Sequence, residues 1–179
     1  MFLELARNRR SIRKFTAQAV PEEKIDEILE AALRSPSGRK ARPWAFVVVK
    51  DRQLLEKLSV AKPSGATFIK DAAVGIVVCA DPSKSELWIE DCSIAAVSMQ
   101  YAAFSMGLGS RWCQIRGTKF DDSQSSRDYI AKMLGLPENM EVECIIAVGV
   151  PDEALAPYKR EELPFDQVSY ERYGAFQKT

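Results

Sequence analysis

Apolar positions along this chain change their spacing in a regular way, and the changes mark out helices and strands in turn. Residues 2–9 carry Leu3, Leu5 and Ala6 and read as a short helix. In "PEEKIDEILEAALRS" (21–35), Ile25, Ile28, Leu29, Ala32 and Leu33 recur every three or four residues, which predicts one apolar helical stripe. Pro21 suits the first helical position, Glu22 and Glu23 suit the positive end of the dipole, and Pro36 marks the stop. "AFVVVK" (45–50) and "AAVGIVVCA" (72–80) are unbroken apolar runs, the pattern of buried strands. Between them "RQLLEKLSV" is a helix with Leu54, Leu55 and Leu58 inward. "SRWCQIR" (110–116) and "VECIIAVGV" (142–150) read as a third and fourth strand. The helix "SSRDYIAKMLG" separates them and is stopped by Gly135 and Pro137. The tail after Pro151 is extended, with Pro157 and Pro164, and has no compact unit of its own.

One segment departs from this amphipathic pattern. Residues 85–106 read as a long helix ending at Gly107 and Gly109, with little polar face after Asp91. Ser93, Ala95, Ala96, Ser98, Ala102, Ala103 and Ser105 let neighbours approach closely. A helix apolar all round is buried, and in a chain this short that points to a second subunit. Ala96 and Ala103 lie on this small-residue stripe, either at that contact or inside the subunit.

Composition narrows the class. A chain of 179 residues is enough for one domain with a sizeable core, and no repeat, low-complexity stretch or linker divides it. The 25 basic and 25 acidic residues cancel, which argues against binding nucleic acid through a global field. No apolar run approaches the roughly 20 residues of a membrane span, and no apolar region follows the basic N-terminus as in a secretory signal. Cys79, Cys92, Cys113 and Cys144 are scattered without a C-x-x-C pair, which fits free thiols in a reducing cytoplasm better than zinc. The chain has no histidine, which excludes a histidine base, a Ser-His-Asp triad and a histidine metal site.

Three stretches carry candidate chemistry. "RNRRSIRKF" (7–15) places five cations in eight positions around Ser11. If it is extended, Arg9, Ser11 and Arg13 point to one side, so two cations and a hydroxyl close on a single phosphate. A solvated basic turn is the alternative. "SPSGRKARPW" (35–44) joins a helix to a strand and adds Arg39, Lys40 and Arg42 beside Trp44. Such a loop could lay backbone amides and charge against a planar anion, or simply connect two elements. "GLGSRWCQIRG" (107–117) ends the long helix at two glycines, where a backbone N–H can face a ligand. Trp112 and Cys113 read as core, and Cys113 has no histidine to activate it.

RRSIRKF, SPSGRKARPW, GLGSRWCQIRG and VECIIAVGVPDE, in this order, resemble the nitroreductase family of flavin enzymes, from about residue 5 to about residue 170. The resemblance implies an α+β, three-layer fold with a central mixed sheet flanked by helices. It also implies an intertwined homodimer with FMN in each of two interface sites, and a tail, about residues 152–179, wrapping the partner. Arg9, Arg10, Ser11 and Arg13 would hold the FMN phosphate and ribityl chain, with Lys159 or Arg160 reaching the phosphate from the tail. Pro36, Ser37 and Gly38 would approach the flavin of the other subunit, and Gln114 and Ile115 would offer backbone contacts near flavin N5. Many relatives have Asn-x-Gln-Pro-Trp where this chain has Lys40-Ala41-Arg42-Pro43-Trp44. Arg39, Lys40 and Arg42 therefore join Arg13 as candidates for a cation beside the reduced ring. Lys62 and Gly65, where larger members carry inserts, are given no role.

The implied reaction carries electrons from NADH or NADPH through FMN to a nitroaromatic, quinone or other electron-poor small molecule, in ping-pong order. It needs no catalytic side chain and no metal. Same-fold alternatives are flavin handling, dehalogenation and ene reduction. A nucleotide- or RNA-binding module using the basic segments is the alternative of another class. It should interleave aromatics with its cations, whereas Phe15 and Trp44 stand at the edges of core elements.

Overall fold

The apolar runs become the strands of one antiparallel sheet, seen in a computed structural model that describes residues 2–175. The strands are β1 (Trp44–Val49), β2 (Val74–Ala80), β3 (Gly109–Gln114) and β4 (Glu141–Gly149), in spatial order β1-β2-β4-β3. Every neighbouring pair is antiparallel, which corrects the expected mixed sheet. The reason lies in the order. β2 and β3 run in the same direction, but β4 inserts between them and pairs antiparallel with both. Parallel pairing among the described residues is confined to an isolated bridge, Ser11 to Ser110, on the outer edge of β3.

The period-two alternation of β2 sorts the core. Val77 and Cys79 face Leu55 and Leu58 of α3 (Arg52–Leu58) and Ile130 of α5 (Ser126–Leu134). Ile76, Val78 and Ala80 face Ile25 and Ile28 of α2 (Glu22–Leu33) and Met99 of α4 (Trp88–Ser105). Local chemistry sets the helix ends. The Asp51 carboxylate accepts from the Leu54 N–H, the Ser125 hydroxyl from the Asp128 N–H, and Gly135 closes α5 in a left-handed conformation at φ 69°. In α2, Ile25, Ile28 and Ala32 are buried while Leu33 is exposed. Leu33 falls about 100° past Ala32 around the helix, at the edge of the stripe.

The long helix begins at Trp88 rather than 85, because Pro82–Lys84 forms a separate turn capped by Asp81. Its small residues serve the subunit's own interior. Ala96 and Ala103 are fully buried against the sheet and α2, so they lie inside the subunit rather than at a contact. The outward face carries Ile94 and Val97, 41% and 43% exposed. Among the described residues no helix is long and apolar enough to cross a membrane. All four cysteines are free and buried. Burial pushes the thiols of Cys79 and Cys92 up to about 12 and raises those of Cys113 and Cys144 too, which disfavours the thiolate at each.

Two glycines decide how the N-terminal basic segment lies. A Cβ on Gly109 would stand 2.9 Å from Ile12, and one on Gly149 would stand 2.8 Å from Phe15. Without them the segment lies against β3 and β4. The Ile12 N–H donates to the Ser110 carbonyl at 3.0 Å, and the Thr16 N–H donates to the Val150 carbonyl at 2.9 Å.

Candidate functional site

Ile12 and Phe15 are driven into the core, and this leaves Ser11 and Arg13 exposed on the other side of the segment. Arg9, just past α1 (Phe2–Asn8), sets its guanidinium carbon 5.8 Å from the centroid of the Tyr101 ring. Arg9 Nη1 is buried and has no hydrogen-bond partner. Ser110 Oγ is likewise buried and unpartnered, on the residue bridged to Ser11. Each such orphan costs about 1–3 kcal/mol until something pairs with it. These two unpartnered atoms belong to a residue two positions before Ser11 and to the residue across the bridge from it.

Arg10 goes elsewhere. Its Nη1 donates to the Ala156 carbonyl, and its guanidinium stacks 4.0 Å over the Tyr158 ring, tying the segment to the tail. Glu153 ties the same two segments. Its carboxylate accepts from the Arg13 N–H and, at 3.1 Å, from the Lys14 N–H. The Arg13 amide first, then the Lys14 amide, holds the carboxyl below its ordinary value. The folded pKa therefore lies below the unfolded one. The tether's contribution is complete above the unfolded glutamate range, about pH 4.3, and is lost as pH falls through the folded value. Glu153→Gln is expected to lower thermal stability at neutral pH, with the gap to wild type closing on acidification. Melting curves of both proteins between neutral and acid pH check this. A gap that stays constant would remove the tether.

The Arg13 side chain turns into a cleft of about 460 Å³ shared with Thr67, Phe68, Lys70, Asp71 and Arg111. Arg111 Nη1 is the third buried nitrogen or oxygen without a partner, and its guanidinium lies 4.7 Å from the Phe68 ring centroid. Sequence reasoning passed over Arg111 as an ordinary strand residue. The available signal was its register. It alternates with Gly109 and Cys113, on the face where the strand should be apolar.

The second basic segment is held by a buried carboxylate that the sequence did not single out. Asp91, 2% exposed in the first turn of α4, accepts from the Gly38 N–H at 2.8 Å and from the Ser85 hydroxyl at 3.1 Å. The Ser37 hydroxyl accepts from the Arg42 N–H at 3.1 Å. Pro36 is exposed at the head of the loop. Arg39, Lys40 and Arg42 have φ of 51°, 60° and 47°, left-handed backbone that side chains with a Cβ resist. Gly38 and Arg39 line a cleft of about 480 Å³ with Lys84 and Leu87. Within one subunit, the clefts lined by Arg13 and by Arg39 share no residue.

Gln114 and Ile115 end β3 in a tightly bonded corner. The Gln114 carbonyl accepts from Lys62 Nζ at 2.9 Å, and its Oε1 accepts from the Trp112 indole at 2.9 Å. Ile115 is fully buried and donates its N–H to the Glu143 carbonyl at 3.1 Å. The buried Glu143 carboxylate accepts from Arg116 Nε at 2.6 Å. In the tail, the Lys159 N–H donates to Glu162 Oε2 at 2.7 Å, and Arg160 stacks 4.7 Å over Phe165. Both are exposed. Among the described residues no cluster of carboxylates and thiols could hold a metal ion.

The model of the nitroreductase family matches residues 6–63 and 60–150. The chain belongs to the nitroreductase family. A putative NADH dehydrogenase/NAD(P)H nitroreductase of Methanothermobacter thermautotrophicus is 38% identical over 174 residues, covering 96% of this chain and 87% of that protein. The solved structure of an FMN-dependent nitroreductase from Clostridium difficile matches with a TM-score of 0.94 at 40% identity, over 96% of this chain and 99% of that one. An iodotyrosine deiodinase of Thermotoga neapolitana is 25% identical over 191 residues, covering 91% of this chain and 95% of that protein. A nitroreductase-family chain is an oxidoreductase. Phe15 and Trp44 are core residues, 8% and 9% exposed.

Proposed function

We propose that this nitroreductase-family chain is an FMN-dependent oxidoreductase. It carries electrons from NADH or NADPH to a small electron-poor acceptor such as a quinone or nitroaromatic. The observation that carries the reading is a pair of buried polar atoms left without a partner, Arg9 Nη1 two residues before Ser11 and Ser110 Oγ on the residue bridged to Ser11. A phosphate needs several converging donors of this kind, at least one of them charged. Arg9, Ser11 and Ser110 would hold the FMN phosphate, and Arg13 would lie toward the ring. Bound FMN supplies hydride acceptance and electron return at one site, which makes turnover ping-pong. The chain's part is to bind, to orient and to place charge. No side chain here needs to act as an acid.

The same reading makes the functional unit an intertwined homodimer of single-domain chains, residues 1–179. Three observations support it. Phe2, Ile94, Val97 and Tyr101 surround an apolar groove of about 590 Å³. Leu163, Phe165, Val168 and Tyr170 stand exposed along the tail, an arrangement suited to covering another surface. The two basic segments line separate clefts in one subunit, so for both to meet one ligand would take two copies. Pro36, Ser37 and Gly38 would then meet the partner's flavin, bringing Arg39, Lys40 and Arg42 with them. The tail, with Lys159 or Arg160 at the phosphate, would cross the interface. Gln114 and Ile115 would back the ring from β3. Four free thiols suit a reducing cytoplasm.

Purified protein should be yellow, and heating should release FMN. NADH or NADPH should bleach it without air, and a quinone should restore the colour, with parallel initial-rate lines. A colourless protein that takes up no FMN, or one that neither nicotinamide bleaches, overturns the reading. The deiodinase relative favours one second reading, reductive dehalogenation. Reoxidation by a halotyrosine faster than by a quinone would select it.

A further inference from the structure

We infer that the cleft between the 38–42 loop and the 82–87 turn takes the adenosine end of the nicotinamide donor. Arg39 and Lys84 bind its 2′-phosphate there, and the chain therefore selects NADPH over NADH. The inference rests on the flavin reading above and deepens it by naming the donor.

Gly38 belongs to the segment that would meet the partner's flavin and is also a wall of this cleft, so the cleft adjoins the flavin site. A Cβ on Gly38 would stand 2.8 Å from Leu87 Cδ1, and glycine thus lets the loop close on the turn. The lining has two parts. Ala41, Pro82 and Leu87 are apolar, with Leu87 51% exposed. Arg39 and Lys84 are exposed cations, and Lys40 and Arg42 add charge from the same loop. Among the described residues none of these four side chains enters an ion pair. Two nearby carboxylates are already occupied, Asp91 by the Gly38 N–H and the Ser85 hydroxyl, and Asp81 by Ser83 and Asn139. Glu86, exposed in the lining, is the carboxylate that opposes the cations.

The backbone amides of the cleft are spent. Gly38 donates to the Asp91 carboxylate, Ser83 to the Asp81 carboxylate and Leu87 to the Ser85 hydroxyl. Lys84 and Ser85 donate to the carbonyls of Asp81 and Pro82. A pyrophosphate is cradled by free amides at a turn or a helix start, so this cleft is not built for the group that NADH and NADPH share. Long side-chain cations beside an apolar wall suit a purine on the wall and a phosphomonoester, carrying about −1.5 to −2 charge, between the cations. That phosphate is the one difference between the two donors, since NADH has a hydroxyl in its place. No bond is made or broken at this end of the molecule. The cleft therefore acts on the choice of donor and leaves the hydride step to the flavin.

The test follows anaerobic bleaching of the FMN-loaded protein by each donor and reads limiting rate and half-saturation separately. Wild type should half-saturate at about tenfold lower NADPH than NADH, the effect of one charged contact. That advantage should shrink about three- to tenfold in Lys84→Ala or Arg39→Ala, and survive in Arg39→Lys. Glu86→Gln should enlarge it about two- to fivefold, a gain that a loosened cleft would not give. Added salt should weaken NADPH more steeply than NADH. Adenosine 2′,5′-bisphosphate should compete with the donor about tenfold better than 5′-AMP. Should a variant fail to fold by circular dichroism, the salt dependence and this competition carry the comparison on wild type. Equal half-saturation for the two donors in wild type overturns the inference while the flavin reading stands. So do equal losses for NADH and NADPH in Lys84→Ala, which would give the cleft to the shared pyrophosphate. A protein that binds no FMN, or that neither donor bleaches, overturns both.

Discussion

Replacing Ile94 and Val97 together by glutamate is expected to yield a folded monomer that no longer retains FMN. Both side chains point out of α4, 41% and 43% exposed, so the subunit's own core does not depend on them. Each has already buried part of its surface, and about 1 kcal/mol of apolar stabilisation remains to be gained per side chain. A two-fold contact counts each position twice. The loss is then on the order of 4 kcal/mol, or about three decades in the dimer dissociation constant, before the charges repel. Light scattering and flavin fluorescence on the same sample read mass and binding together. A monomer holding FMN as tightly as wild type would end the shared-site reading. Ala96→Arg or Ala103→Glu cannot serve, because those alanines are fully buried within the subunit.

Arg9→Ala should weaken FMN by ten- to a hundredfold, the loss of one charged hydrogen bond worth about 1.5–3 kcal/mol. Riboflavin, which lacks the phosphate, should bind the variant as it binds wild type. Arg10→Ala is the informative contrast. Its guanidinium is spent on the Ala156 carbonyl and the Tyr158 ring, so its removal should loosen the tail before it touches the flavin. Fluorescence titration of both flavins against both variants checks the pair. Equal losses of FMN and riboflavin in Arg9→Ala would separate Arg9 from the phosphate.

The elements were legible wherever a periodicity ran unbroken. β2 and β4 are buried at nearly every position and carry the most apolar runs in the chain. Strand directions were not legible, because the insertion of β4 between β2 and β3 leaves no trace in any local pattern. In the basic segment, Ser11 and Arg13 turn outward because Ile12 and Phe15 are apolar, and that alternation is written in the residues. Nothing local distinguishes Arg9 from Arg10, since both are half-buried cations and their partners lie about a hundred positions away or more, at Tyr101 and Tyr158. Asp91 was hidden for a similar reason. A carboxylate in the first turn of a helix reads as a dipole partner, and only the fold shows it holding a loop more than fifty residues earlier.

The left-handed backbone at Arg39, Lys40 and Arg42 bears on why those residues stand there. Glycine would adopt these angles freely, sparing about 1–2 kcal/mol at each position. It would also give back about 0.5–1 kcal/mol in the freedom of the unfolded chain. The second term offsets only about half of the first, so the three long cations stand there at a folding cost of about 0.5–1 kcal/mol each. Selection among residues there acts on the charge the loop displays, and the loop's shape is fixed independently by Asp91 and Ser37. A chain built this way can change what its site attracts without first changing how it folds.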